Sequence, residues 1–272
     1  MATPRRSLAR VAPGVFVATS RQDATTSTVV ISDAHPPEPS DAGTAALLVD
    51  PAWLPGELDG LAGELAHRGI RVTAGFSTHA HHDHLLWHHG FGDAARWASP
   101  ATCALARQHR EALLADLGKD WPDRLKPNFA RVTPLTGNMI PEPFGAAGDA
   151  EAIEVVMHDG HAPGHSALWL PERRVLIAGD MLSDRELPLP FSPDDLPAYL
   201  RALETLAPYV RQAQMLIPGH GTPTTDPTSR LDADQRYLDS ILAGTEADDP
   251  RRNNPGMTAI HARILEMVRR LL

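Results

Sequence analysis

The sequence predicts an α/β protein with β-sheets inside and helices outside. Three observations carry that expectation. Short runs rich in β-branched residues alternate with helix-periodic segments, the alternation persists along the whole chain, and several apolar runs end on a histidine or an aspartate. At 272 residues, and with roughly 100–200 residues per domain, one large domain or two small ones could fit. The unbroken alternation favours one domain over 1–272, large enough to bury a rigid site.

Taken in order, Val11 to Ala18 is interrupted by Pro13 and Gly14 and reads as a first strand, and Thr28 to Ile31 as a second. The polar stretch 20–27 between them is turn-like. Residues 34–43 hold three prolines, which cannot donate to a ladder, and read as an exposed loop. Ala45 to Asp50 is a buried-looking strand that ends on a carboxylate. Leu54 to Arg68 is helical, with Leu58, Leu61 and Leu65 on one face and Gly69 as its cap. Ile70 to Phe76 completes a β-α-β unit, and histidines begin at its end, where ligand sites tend to lie. Pro100 to Leu117 is expected as one helix and 119–149, rich in Pro and Gly, as a loop or flap. Ile153–Met157, Ala167–Leu170 and Val175–Ala178 read as three short strands. A helix (Asp195–Tyr209), a strand (Gln214–Ile217) and a helix (Leu231–Leu242) follow. Met257 to Leu272 closes the chain with an apolar stripe that suits its own core or a dimer equally, so the oligomeric state stays open.

A formal net charge of −9 argues against a large polyanionic partner, which needs a basic footprint. The single cysteine, Cys103, excludes an intrachain disulfide. No stretch approaches the ~18–20 apolar residues of a membrane span, and no apolar run of signal length follows the charged start Met1 to Arg6. A cytoplasmic protein acting on a small molecule, without nucleic acid or membrane, is the expectation.

Histidine is the informative residue. Of 14, six lie between His79 and His89 and three between His158 and His165. The core of the pattern is Thr78-His79-Ala80-His81-His82-Asp83-His84. In a tight loop after a strand His79 and His81 can point to one side, while Asp83 and His84 reach a second point nearby. Neutral imidazoles and carboxylates are what a zinc-like ion takes, and four candidate ligands in six residues favour two ions over one. A solvated, histidine-rich turn would explain this loop alone. It does not explain three further elements: Gly160-His161-Ala162-Pro163-Gly164-His165, the strand ending on Gly179-Asp180, and Pro218-Gly219-His220-Gly221.

Asp50, His-x-His-x-Asp-His, Gly-His-x-Pro-Gly, Gly-Asp and Pro-Gly-His-Gly, in that order over residues 15 to 221, resemble the metallo-β-lactamase fold superfamily. The resemblance implies a four-layer αβ/βα sandwich, two mixed sheets with helices on the outer faces. It implies that His79, His81 and His161 hold one metal, that Asp83, His84 and His220 hold a second, and that Asp180 bridges them. Asp50 would orient the metal loop without binding. His161 is preferred over His165 as the ligand of its element, with His165 lying behind it. The ions would be Zn²⁺, with Mn²⁺ or Fe²⁺ as alternatives, and a hydroxide held between them would be the nucleophile, oriented by Asp83.

Departures from named branches narrow the chemistry. Lactamases proper carry Cys or Ser where this chain has Asp180. The oxygen-reducing diiron branch has an acid where this chain has His81, and lactonases often have a tyrosine where it has Ser183. Hydrolysis of a small-molecule ester, thioester, lactone or amide remains first, ahead of a phosphodiesterase, a β-lactamase-like hydrolase or a mononuclear iron sulfur dioxygenase. Residues 20–27, 119–149 and 181–195 are expected to shape the substrate pocket. His82 reads as solvated, His88 and His89 as surface or packing residues on a helix start after the motif, and His158 more as structural than as a substrate contact. Arg185 reads as salt-bridged to a neighbouring acid rather than as a substrate clamp. Trp87, Trp97, Trp121 and Phe191 read as core rather than pocket.

Overall fold

Two mixed sheets face one another in the computed structural model, which describes residues 8–32, 43–141, 152–191 and 193–271. The charged start, most of the proline-rich stretch 34–43, the segment 142–149 and Leu272 lie outside the described residues. The first sheet runs in order β1 (Ala9–Ala12), β2 (Val15–Thr19), β3 (Thr26–Ile31), β4 (Thr44–Val49), β5 (Ile70–Phe76), β6 (Ala95–Ala98) and β7 (Thr133–Pro134). Its first four strands are antiparallel neighbours and its last four are parallel. The second sheet orders β11 (Met215–Pro218), β10 (Val175–Gly179), β9 (Ser166–Leu170) and β8 (Glu154–Met157), with only β10 and β11 parallel.

Side-chain alternation builds the four layers. Along β10, Val175 and Ile177 point into the central core with Val15, Val30, Leu47 and Phe76 of the first sheet. Leu176 and Ala178, one step out of phase, pack instead against α4 (Leu196–Gln212), α5 (Pro227–Leu242) and α6 (Met257–Leu271). On the other side, Val29, Ala46 and Leu48 face α1 (Pro55–His67), whose Leu58, Leu61 and Leu65 are all buried. The period of two in a strand thus divides each sheet between an inner and an outer core. The expected αβ/βα sandwich is what the chain forms.

Several expectations need correction. Val11 to Ala18 is two strands, a hairpin that turns at Gly14 with φ +65°. Pro100 to Leu117 is two helices, α2 (Pro100–Gln108) and α3 (Arg110–Asp116), because His109 leaves helical geometry at φ −107°, ψ 13°. The segment after Leu117 is not wholly irregular, since β7 and a 3-10 turn at Lys126–Asn128 lie in it. No strand was expected at β6, whose central Arg96 masks its character. Arg96 lies over the Trp87 ring at 4.9 Å and donates to Asn128 O at 2.7 Å, so its guanidinium is hydrogen-bonded and stacked.

Candidate metal centre

The site lies where both sheets deliver chain to the same edge. β5 leads into the loop 77–84, β8 into 158–165, β10 into Asp180 and β11 into His220. Two short backbone bonds tie the sheets together there, Ser166 N to Thr78 O at 2.9 Å and Thr26 N to Gly219 O at 2.7 Å, while Gly219 N to Gly179 O at 2.6 Å joins the ends of β11 and β10. Gly219 has to be glycine, because a Cβ would collide with Asp180 Oδ1.

The seven residues singled out in the sequence fall into two clusters. His79, His81, His161 and Asp180 form one, and Asp83, His84 and His220 the other, with the donor atoms of each within 4.8 Å of one another. In the first, His81 Nδ1 lies 2.9 Å from His79 Nε2 and 3.1 Å from His161 Nε2. Asp180 Oδ2 is 3.3 Å from His79 Nε2 and 3.4 Å from His161 Nε2. In the second, His84 Nε2 is 3.4 Å from His220 Nε2, and Asp83 Oδ2 is 3.3 Å from both. Asp180 reaches this cluster as well, with Oδ1 3.2 Å from His84 Nε2 and Oδ2 3.3 Å from His220 Nε2.

The outer ring nitrogens show which lone pairs face inward. His161 Nδ1 lies 2.8 Å from Leu189 O and His220 Nδ1 3.0 Å from Asp23 O, so each donates to a carbonyl. His84 Nδ1 donates to Asp50 Oδ2 at 3.0 Å. Thr78 Oγ1 donates to the same oxygen at 2.6 Å and lies 3.0 Å from His79 Nδ1, whose proton it accepts. Asp50 therefore orients His84 directly and His79 through Thr78, from a backbone held at φ +47°. With Nδ1 engaged outward, Nε2 of all four histidines is the nitrogen directed at the cluster.

These donors fit divalent ions. Nitrogens about 2.05 Å from a common tetrahedral centre stand roughly 3.3 Å apart, close to the separations above. Asp180 Oδ1 is buried without a hydrogen bond, although His84 Nε2 is near it. Nitrogen and carboxylate donors that converge in a buried site are costly unless a cation, a proton or a metal ion, lies among them.

The charges divide by cluster. Burial, with the neighbouring His79 and His161, holds His81 well below its ordinary value, and burial lowers His161 to about 3. Burial would lower His84 and His220 too, but Asp180 above all outweighs it, with Asp83 and Asp50 acting on His84 and Glu186 on His220. His84 stands well above the ordinary value and His220 is raised to about 10. Burial alone would raise Asp180, yet His220, His84 and His79 keep it well below the usual carboxylate range.

His165 belongs behind the site. Its Nε2 accepts the Asp180 backbone N–H at 3.0 Å, so that lone pair is already used, and its ring stacks on His79 and His158. His158 sits against His165, a structural place. Two other histidines depart from expectation. His82 is half-buried with its ring edge-on to Trp53 at 4.6 Å, rather than solvated. His88 caps a single 3-10 turn at His89–Phe91 and pairs with Asp59 at 2.9 Å, so no α-helix starts there.

A cavity of about 720 Å³ opens over the clusters. Its walls overturn part of the expected pocket. Residues 181–191 and Asp23 contribute, but no described residue of 119–141 does; α2, α3 and α6 supply the walls instead. Trp87 and Trp121 are core, Trp97 packs on the central core, and Phe191 lines the cavity. Arg185 is exposed, and the ion pair to Asp184 belongs to Arg230 at 3.1 Å. The residue of that loop that turns inward is Glu186, near Asp180 and His220. Burial raises its carboxyl to about 7. Nothing local distinguishes Glu186 from Asp184 in the sequence, because only the loop's path, pinned by Ser183 and Arg251, turns it inward.

Residues 41–236 match the model of the metallo-beta-lactamase superfamily, and the chain belongs to that superfamily. Solved structures share the fold. A beta-lactamase domain protein from Burkholderia ambifaria is similar at TM-score 0.64 and 20% identity, over 98% of this chain and 87% of that one. A metallo-beta-lactamase family protein from Thermus thermophilus gives 0.63 and 20%, over 96% and 95%. A metallo beta lactamase from Erythrobacter litoralis gives 0.58 and 16%, over 86% and 98%. Among the described residues no helix is long and apolar enough to cross a membrane.

Proposed function

We propose that the chain is a metal-dependent hydrolase of a small-molecule ester, thioester, lactone or amide, with two divalent ions, zinc first among them. The observation that carries this reading is the pair of donor clusters that share one buried carboxylate, Asp180. His79, His81 and His161 would hold one ion, Asp83, His84 and His220 the other, and Asp180 both. Such a pair supplies a water-derived nucleophile at neutral pH and a Lewis acid for the carbonyl oxygen.

The chain's own groups do the rest. Asp50 and Thr78 fix the tautomers and angles of His84 and His79. Asp83 lines the cavity, and its Oδ2 takes a hydrogen bond from Thr25 Oγ1 at 3.2 Å, which holds the carboxylate against the second cluster. A carboxylate so fixed can orient water and pass a proton to a leaving alkoxide, thiolate or amine. A mononuclear redox site would leave the second cluster without a purpose, so the full set of seven favours hydrolysis.

The test is a hydrolysis panel of esters, thioesters, lactones, β-lactams and phosphodiesters with metal-loaded protein, run beside metal analysis. His81→Ala should lose at least one ion per chain and nearly all turnover. A fully loaded, active His81→Ala protein would refute the assignment, and turnover of phosphodiesters alone would refute the carbonyl substrate.

A further inference from the structure

Resting on that hydrolytic reading, we propose that the substrate is an uncharged ester, lactone or amide whose apolar arm lies between α2–α3 and α6. The two walls of the cavity come from distant parts of the chain. Leu105 of α2 and Leu113 of α3 stand on one side, Met257 and Ile260 of α6 on the other, and Leu187 and Phe191 close the loop side. At about 720 Å³ the space accommodates a small-molecule ligand, well beyond an acetyl group.

The charges in the same walls select against anions. Apart from the clustered residues, the lining carries the acidic side chains Asp23, Asp116 and Glu186 and the histidines His82 and His109, and no lysine or arginine is among the described lining residues. Arg263, which stacks on Phe191 at 4.6 Å, is tied to Asp194 and lines no part of the cavity. A phosphodiester, a thioester on a nucleotide carrier or an ω-carboxylated acyl group brings negative charge beyond the reacting carbonyl. Such charge is ordinarily met by guanidinium or ammonium donors; here it would meet carboxylates. An alkyl or acyl arm meets leucine, isoleucine, methionine and phenylalanine.

The experiment uses metal-loaded full-length protein and para-nitrophenyl acetate, butyrate, hexanoate and adipate, the last carrying a free carboxylate at the far end. kcat/KM should rise by about fourfold per methylene from acetate to hexanoate, the gain expected from burying each one. Adipate should fall at least about tenfold below hexanoate. Ile260→Lys and, from the opposite wall, Leu113→Lys should each shift the hexanoate-to-adipate ratio toward adipate. Two variants on separate elements guard against one that fails to fold. A flat chain-length series, or adipate equal to hexanoate in the unaltered protein, would overturn this inference while acetate turnover, absent in His81→Ala, left the hydrolase standing. No turnover of any ester, acetate included, would overturn both.

Discussion

The choice between His161 and His165 rests on single lone pairs. His161 donates from Nδ1 to Leu189 O and leaves Nε2 facing His81 and Asp180. His165 spends Nε2 on the Asp180 backbone N–H, so it aims the carboxylate rather than competing for an ion. His161→Ala should therefore remove an ion from the first cluster, read as metal per chain after dialysis against a weak chelator. His165→Ala should retain both ions but bind them less tightly, by about 10–100-fold, the usual cost of losing a supporting contact. Equal stoichiometric loss in the two variants would mean that His165 is a ligand. The sequence could name both histidines but could not decide which lone pair is spent, because the acceptor and donor that decide it lie 28 and 15 residues away.

Among elements, the loop after β10 owes its path to one buried cation. Arg251, in the 3-10 turn Pro250–Asn253, donates to Asp234 Oδ1 at 2.5 Å, to Asp249 Oδ2 at 2.8 Å, and to the carbonyls of Ser183 and Glu186 at 2.9 and 3.1 Å. Ser183 Oγ in turn donates to His220 O at 2.7 Å, so one guanidinium steadies both Glu186 and His220. Arg251→Met leaves Asp234 buried and unpaired and should cost about 3–5 kcal/mol in chemical denaturation. Pairing it with Asp234→Leu should recover much of that loss. A single-variant cost below about 1 kcal/mol would show that the staple does little. None of this was legible from sequence, where Arg251 reads as one of many arginines near the C-terminus. What was legible shares a cause: β4, β5, β10 and β11 are apolar runs whose period and strand-end residue are both local. The break at His109 and the strand around Arg96 depend on contacts with distant chain, and sequence periodicity carries no trace of them.

For the whole molecule, the centre is a clasp between two sheets. His79, His81, Asp83 and His84 hang from the first sheet, and His161, Asp180 and His220 from the second. An ion bound only by the folded chain stabilises it by mass action, and here it would join both halves of the core. Without ions, protons take that place, and the two clusters respond oppositely to pH. His84 and His220 bind protons more tightly folded than unfolded. Their stabilisation is present below the ordinary value of 6.5 and is lost as pH rises toward about 10, the value for His220. His81 and His161 stay neutral when folded, so the unfolded chain takes protons first, and stability falls as pH drops from 6.5 toward about 3, the value for His161. The histidine contribution to metal-free stability should then peak near pH 6.5. Ions need the lone pairs that protons occupy on His84 and His220, so the gain in Tm on adding zinc should grow over the same rise in pH that weakens the metal-free protein. Melting curves with zinc and with chelator, from about pH 6 to about pH 9, would check this. A zinc-induced gain that is constant or shrinks with pH would show that the second cluster is not where protons and metal compete.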